Sequence, residues 1–424
     1  MNLKRSFVLF VSLLFLNLLS AEGKILAIED AVRLAKENNI SVKKAENDLD
    51  SLAVQNKYSW NSVSPAANLD GKFVDDIDDS ISLSLSGAVN LSLKTNLYSE
   101  IKGAKLNYEK GLLTYSEAVR QIELSVRKKF YNLIYQKENL VLQNRSLETS
   151  RAQYLNNEEK FKNGKISELD AFTSRVNYES KKPVVESAEI NFQNDLASFK
   201  QLLGIPQETD IALDGSLDDF LNLKEISFGL LPKVDEPAPD VKSAEYDVEI
   251  AKNSLLNLRF SAYAPVITGS YSYGKSKKSM QDDWMTTNQL SVGVSVPLDG
   301  ILPWSSSAVK IKEQKNALDT AEKNLEDTKT TVAVQTESYI RKINQAVKQL
   351  DSLKSTEKLA EQTYKMTLAA YNYGKTDFLS LQNANDSVLS AGVNLKSQAY
   401  TLISAILDLE SVLGLEFGTL ETKK

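Results

Sequence analysis

The sequence predicts a mainly α-helical chain that contributes strands to a membrane β-barrel. It is built as a duplicated unit of helix, β-hairpin, very long helix and helix. Three observations predict it: an N-terminal export segment, an internal repeat running through nearly all of the remaining chain, and two pairs of alternating strands set between helical runs too long for a compact domain.

Composition narrows the function classes first. The 424 residues carry 50 Lys+Arg against 56 Asp+Glu, a net charge of −6, which excludes a generally basic nucleic-acid binder. Cysteine and histidine are both absent, so disulfides, thiolate zinc sites, most haem ligation and Ser-His-Asp chemistry are excluded. No metal site, cofactor site or catalytic constellation is expected, and the chain does not read as an enzyme.

Residues 1–21 carry a basic start at Lys4 and Arg5, a mostly apolar run from Phe7 to Leu19, and small residues Ser20 and Ala21. That pattern is a secretory signal peptide. No later stretch approaches the eighteen or so apolar residues of a membrane-spanning helix.

The repeat appears as identities at a fixed offset. Tyr154/Tyr364, Gly164/Gly374, Lys165/Lys375, Leu169/Leu379, Ser180/Ser390, Ser187/Ser397, Leu203/Leu413 and Gly204/Gly414 all lie 210 positions apart. Near the start of each half, Val42-Lys43 with Ala45, Glu46 and Asp48 matches Val241-Lys242 with Ala244, Glu245 and Asp247. The first repeat occupies 22–204, the second 240–414, and a proline-bearing linker 205–239 joins them, with 415–424 as a tail.

In the first repeat, helices are expected over about 28–62, with a break at Asn38-Asn39, then 98–162 and 165–203; in the second, over about 240–262, 305–372 and 375–413. The two long runs carry coiled-coil seams, such as Ile101, Ala104, Tyr108, Leu112, Tyr115 and Val119, and Leu318, Ala321, Leu325 and Val332. At 1.5 Å per residue each reaches on the order of 100 Å. Charge runs along them, such as Arg127-Lys128-Lys129, read as a solvated outer face.

Strands are expected over about 65–94 and 264–299. Residues 81–93 alternate throughout: Leu83, Leu85, Val89 and Leu91 face one way, and Ser82, Ser84, Ser86 and Asn90 the other. Val292, Val294 and Val296 alternate with Ser291, Gly293 and Ser295 in the second repeat. The partner strands, with Ala67, Leu69, Gly71, Phe73 and Ile267, Gly269, Tyr271, Tyr273, are weaker. Strands of about ten residues with one apolar and one small polar face are the signature of a transmembrane barrel. Trp60, Phe73, Tyr263, Tyr271, Tyr273, Trp284 and Trp304 collect near the strand ends, as interfacial girdles do. Four strands cannot close a barrel and an open edge cannot stand in lipid, so the chain must oligomerise. Counting alone does not choose between two subunits and three.

This ordered, duplicated set resembles the TolC family of outer-membrane efflux and secretion channels. The resemblance rests on Ile28-Glu29-Asp30-Ala31 with Ala35 and Asn38-Asn39, and on Pro65 and Pro265 ahead of the hairpins. It continues in Gly164-Lys165 with Asp170, in Tyr373-Gly374-Lys375, and in the closing Leu202-Leu203-Gly204 and Val412-Leu413-Gly414. It implies a homotrimer with a 12-strand β-barrel in outer-membrane lipid and a 12-helix α-barrel projecting into the periplasm. The linker and tail would form an equatorial belt. It further implies docking onto a periplasmic adaptor protein attached to an inner-membrane pump.

On that reading Gly164, Lys165, Gly374 and Lys375 form the periplasmic tips that meet the adaptor. Asp170, Glu168, Asp377 and Ser380 stand at the entrance constriction. Ser380 departs from the family's aspartate, which weakens the case for a double aspartate gate. Leu83, Leu85, Val89, Leu91, Val292, Val294 and Val296 would face lipid. The acidic stretch 74–80 lacks the regular calcium-loop spacing and reads as a solvated extracellular loop. The second loop, about 275–289, holds Lys275, Lys277 and Lys278, then Asp282 and Asp283. The competing reading is a non-channel coiled-coil structural protein of the periplasm or cell surface with soluble hairpins.

Overall fold

In the computed structural model the described residues are 24–75, 81–221, 237–278 and 282–420. The expected signal peptide, most of the acidic loop, the centre of the linker and the centre of the second loop lie outside them. The chain divides into two units, one of residues 1–43, 118–235 and 335–424, the other of 44–117 and 236–334.

The elements follow the duplicated order. Strand β1 (Lys24–Leu26) leads into α1 (Ile28–Asn38) and α2 (Ile40–Lys57), then β2 (Ala66–Asp75), β3 (Ile81–Lys94), α3 (Leu97–Lys162) and α4 (Glu168–Leu203). After β4 (Ile211–Leu213), the second copy runs α5 (Pro239–Tyr263), β5 (Val266–Lys277), β6 (Met285–Ser295), α6 (Ser306–Asn372) and α7 (Phe378–Leu413). The break between α1 and α2 falls at Asn39. Its side-chain Nδ2 donates to the Leu202 carbonyl at 2.8 Å and its Oδ1 accepts the Ser41 N–H at 2.8 Å, which restarts the helix. Pro183 lies within the continuous α4.

The unit of 44–117 and 236–334 holds one antiparallel sheet in the order β2-β3-β5-β6. Beside it, α3 and α5 join through Asn253, which donates to the Ser99 carbonyl, and Asn96, which donates to Asn257, both at 2.8 Å.

The other unit holds the principal core. Phe130, Leu133 and Ile134 of α3, Phe199 and Leu203 of α4, Ile343 and Leu350 of α6, and Leu402, Ile403 and Ile406 of α7 are buried together. Each such side chain contributes about 1.5–3 kcal/mol by leaving water. Two short parallel strands, not foreseen in the sequence, lie against this core: Lys24, Ile25 and Leu26 of β1 pair with Ile211, Ala212 and Leu213 of β4. Leu217 and Phe220 of the following turn are buried in the same cluster. Glu138 fixes this turn by accepting from the Leu217 N–H at 3.1 Å and pairing with Lys396 at 2.9 Å.

One expectation is corrected in this unit. The Arg127-Lys128-Lys129 run is not a solvated face. Arg127 is buried and pairs with Glu123 and Glu29 at 2.8 and 3.0 Å. Lys128 pairs with Asp408 of α7 and Lys129 with Asp195 of α4. Consecutive helical residues point about 100° apart, so a helix with neighbours on several sides sends three adjacent cations to three different helices.

Candidate functional site: helical tips and strand faces

Both long helices end in the same backbone turn. Gly164 and Gly374 each adopt φ 67°. The N–H of Lys165 donates to the Lys160 carbonyl at 2.8 Å and that of Gly164 to Phe161 at 2.8 Å; Lys375 donates to Ala370 at 2.9 Å and Gly374 to Tyr371 at 3.0 Å. This is the Schellman closure, which satisfies the last carbonyls of a helix and needs a left-handed residue, hence glycine. All four of these tip residues are exposed. The return helices α4 and α7 begin three residues later than the sequence reading placed them, because the turn itself and a capping residue occupy the interval.

The caps explain the departure at Ser380. At the first tip Ser167 is the N-cap: its Oγ accepts the Asp170 N–H at 3.1 Å and donates to the Asp170 carboxylate at 2.7 Å. At the second tip the order is reversed: Asp377 is the N-cap, and its carboxylate accepts the Ser380 N–H at 2.7 Å. The Ser380 side chain and N–H hold the Asp377 carboxyl below the usual carboxylate range. Serine and aspartate have exchanged the two cap positions, so each tip keeps an aspartate within its cap, and the first tip adds Glu168 in the same turn. Glu168 lines a small groove at the first tip with Tyr154, Glu158, Phe161, Phe172 and Arg175.

Above the tips, polar ties that the sequence did not reveal hold the return helices together. Gln382 of α7 donates to Asn177 of α4 at 3.1 Å, and one helical turn along both helices Lys181 pairs with Asp386 at 2.7 Å. Tyr371 Oη donates to Asn157 at 2.6 Å, linking α6 to α3. The only available signal was polar residues four apart on both helices, which solvated faces also show.

The sheet register sorts the strand residues. Phe73 pairs with Leu83, Gly71 with Leu85, and Ala67 with Val89. Val89 pairs in turn with Tyr271, Leu91 with Gly269, and Leu93 with Ile267. Tyr271 pairs with Leu290, Gly269 with Val292, and Ile267 with Val294. Directly opposed residues share a face, so one apolar face runs unbroken across all four strands. Ser84, Ser86, Asn90, Ser270 and Ser272 share the other face. Leu85, Val89, Val292 and Val294 are exposed, and Leu83 and Leu91 half-buried.

Two expectations change here. Val296 lies beyond β6, which ends at Ser295 opposite Val266, because Pro265 stops the partner strand and Pro297 follows. Lys275 and Lys277 are not loop residues: β5 extends through them, and they stand on the apolar face opposite Leu85 and Leu83. Exposed aromatics lie towards both ends of the sheet, with Phe73, Tyr273 and Trp284 near the hairpin end, and Trp60, Tyr263 and Trp304 near the helix end.

Residues 230–415 match the family model described as outer membrane efflux protein. No curated protein matches the chain. Among solved structures, the outer membrane channel CmeC of Campylobacter jejuni superposes with a TM-score of 0.77 at 19% identity, over 91% of this chain and 85% of that one. A membrane protein of Pseudomonas aeruginosa gives 0.76 at 15% identity, covering 94% and 92%. The open state of the MtrE outer membrane channel of Neisseria gonorrhoeae gives 0.73 at 18% identity, covering 92% and 89%. The chain thus carries the sequence pattern of outer membrane efflux proteins in its second repeat and has the fold of outer-membrane channels along most of its length.

Proposed function

We propose that three copies of this chain close a barrel of twelve strands in the outer membrane and a barrel of twelve helices on its periplasmic side. The protein is an outer-membrane exit duct for efflux, not an enzyme. The carrying observation is the single apolar face across β2, β3, β5 and β6, with open edges at β2 and β6. In lipid an open edge leaves backbone groups unpaired at several kcal/mol each, so the sheet is complete only with neighbours. The apolar face meets lipid, and the serine- and asparagine-rich face lines the aqueous passage. Neutral hydroxyls and amides of that kind bind water and offer no charge by which to sort cargo, so selection and energy come from elsewhere.

The tips at Gly164-Lys165 and Gly374-Lys375 are the docking points for a periplasmic adaptor and its inner-membrane pump. Asp170 and Asp377, repeated by symmetry around the entrance, form a ring that favours cations. The structural coiled-coil alternative is not favoured, because a soluble hairpin has no use for an exposed apolar face of this extent.

The deciding experiment is the absolute mass of the detergent-extracted protein by light scattering, with bound detergent subtracted. A species of about three chains is expected. A monomer that stays in solution without detergent would overturn the duct.

A further inference from the structure

We propose that Lys275 and Lys277 form a binding site, on the outer wall of the barrel, for the phosphorylated headgroup of an anionic glycolipid in the outer leaflet. The inference rests on the lipid-facing reading of the sheet and adds a ligand to it.

Position makes the case. Ile267, Gly269, Tyr271, Tyr273, Lys275 and Lys277 alternate along β5 on the apolar face. From Ile267 to Lys275 is eight residues, or about 26 Å of strand, which a tilt of about 40° reduces to about 20 Å of height. Lys277 stands about 5 Å higher. An apolar barrel band is about 25 Å tall, so both ammonium groups fall at its upper rim, directly above the aromatic level of Tyr273. The strand ends there in a hairpin whose other end leads to helices, so this rim is the outer one.

A cation pointing outward at the rim meets headgroups, not the aqueous passage. The two lysines are one strand repeat apart on the same face, a separation of about 7 Å that lets both ammonium groups reach one phosphate. Trp284, at the start of the β5–β6 return, holds the Lys277 Nζ 5.5 Å from its ring centroid, which orients that ammonium while leaving it charged. Neither lysine has a carboxylate within ion-pair distance among the described residues. Asp75 shares this face two strands away, about 10 Å to the side and one step higher, and Asp282 and Asp283 stand on the return just before Trp284, so carboxylates lie around the pair without forming an ion pair with it. Loop lysines solvated above the membrane would have no reason to occupy strand positions in register with Leu83 and Leu85.

The probe is diphosphoryl lipid A in mixed detergent micelles, with lipids retained per oligomer counted by native mass spectrometry of the full-length mature protein. The wild type should retain it. K275Q/K277Q should weaken retention about thirtyfold, from about fivefold per lysine at a membrane surface, whereas K275R/K277R should keep it. The oligomer mass and insertion into vesicles should be the same for all three. Equal retention by wild type and K275Q/K277Q would overturn the site. Loss of the lipid to inorganic phosphate at matched concentration would also overturn it, by showing a bare anion site. Failure of every protein, wild type included, to insert would instead bring down the lipid-facing reading, and the site with it.

Discussion

The Asp377 carboxylate accepts the backbone N–H of Ser380 at 2.7 Å, while at the equivalent place in the first repeat Ser167 accepts the N–H of Asp170 at 3.1 Å. The two residue types have traded places across the duplication without loss of the cap. Substituting Asp377 by alanine should expose the first turn of α7, seen as faster amide hydrogen exchange at 378–381 with no change at 168–171. The exchanged pair D377S/S380D should restore protection. Because the Asp377 carboxyl is held low, its contribution is present above the unfolded carboxylate pKa and is lost as pH falls through the lower folded value. Unaltered exchange in D377A would remove the cap from the account of this tip.

The entrance ring proposed for the same carboxylates has a consequence for conduction. D170N and D377N together should lower the cation preference of single channels, read as a reversal potential closer to zero in a salt gradient, without changing oligomer mass. The tips are made by helices remote in sequence from the strands, so barrel closure does not depend on them. An unchanged reversal potential would take both residues out of the entrance ring.

At the C-terminal end, Glu410 is fully buried, and its carboxylate accepts the N–H groups of Leu420 at 2.7 Å and Gly418 at 3.0 Å. Arg120 donates to the carbonyls of Glu410 and Leu415, and its guanidinium lies over the Phe417 ring. Replacement by glutamine places an amide N–H₂ against one of these donors and should cost about 1–3 kcal/mol. Thermal unfolding would measure it, and a loss below a few tenths would argue against the anchor.

Burial raises the Glu410 carboxyl above its ordinary pKa, outweighing the two N–H donors and the nearby arginines that lower it. A raised folded pKa contributes stability that is full below the unfolded value, about 4.3, and is lost as pH rises through the folded value. The wild type should therefore lose stability across that window, and E410Q should lack this component. Parallel pH profiles for the two proteins would contradict it.

The register also separates the two strand faces experimentally. Arginine at Val89 or Val292 sits near the middle of the apolar face and should oppose membrane insertion by about 2–4 kcal/mol per chain. Arginine at Ser86 or Ser272, on the opposite face, should insert normally. The fraction of protein protected from protease in vesicles gives the readout. Normal insertion of V89R and V292R would reverse the assignment of faces.

Much of this architecture is written along the chain because its causes are local. The alternation of Leu83 to Leu91 with serines fixes which strand residues share a face, since a strand's side chains have period two. Gly164 and Gly374 mark the turns because a Schellman closure demands positive φ. The offset of 210 between them exposes the duplication before any contact is known.

Tertiary structure decided what depends on distant neighbours. Nothing near Arg127 in the sequence announces that Glu29 comes to meet it, or that Lys128 and Lys129 reach Asp408 and Asp195. The pairing of β1 with β4 joins segments nearly two hundred residues apart through three residues each, too short to leave a periodic signal. The length of β5 was likewise set by its partners, because Lys275 and Lys277 look like loop residues until Leu85 and Leu83 pair with them. Local backbone preference and periodicity are properties of a stretch of chain, whereas burial, ion pairing and strand extent are properties of what packs beside it.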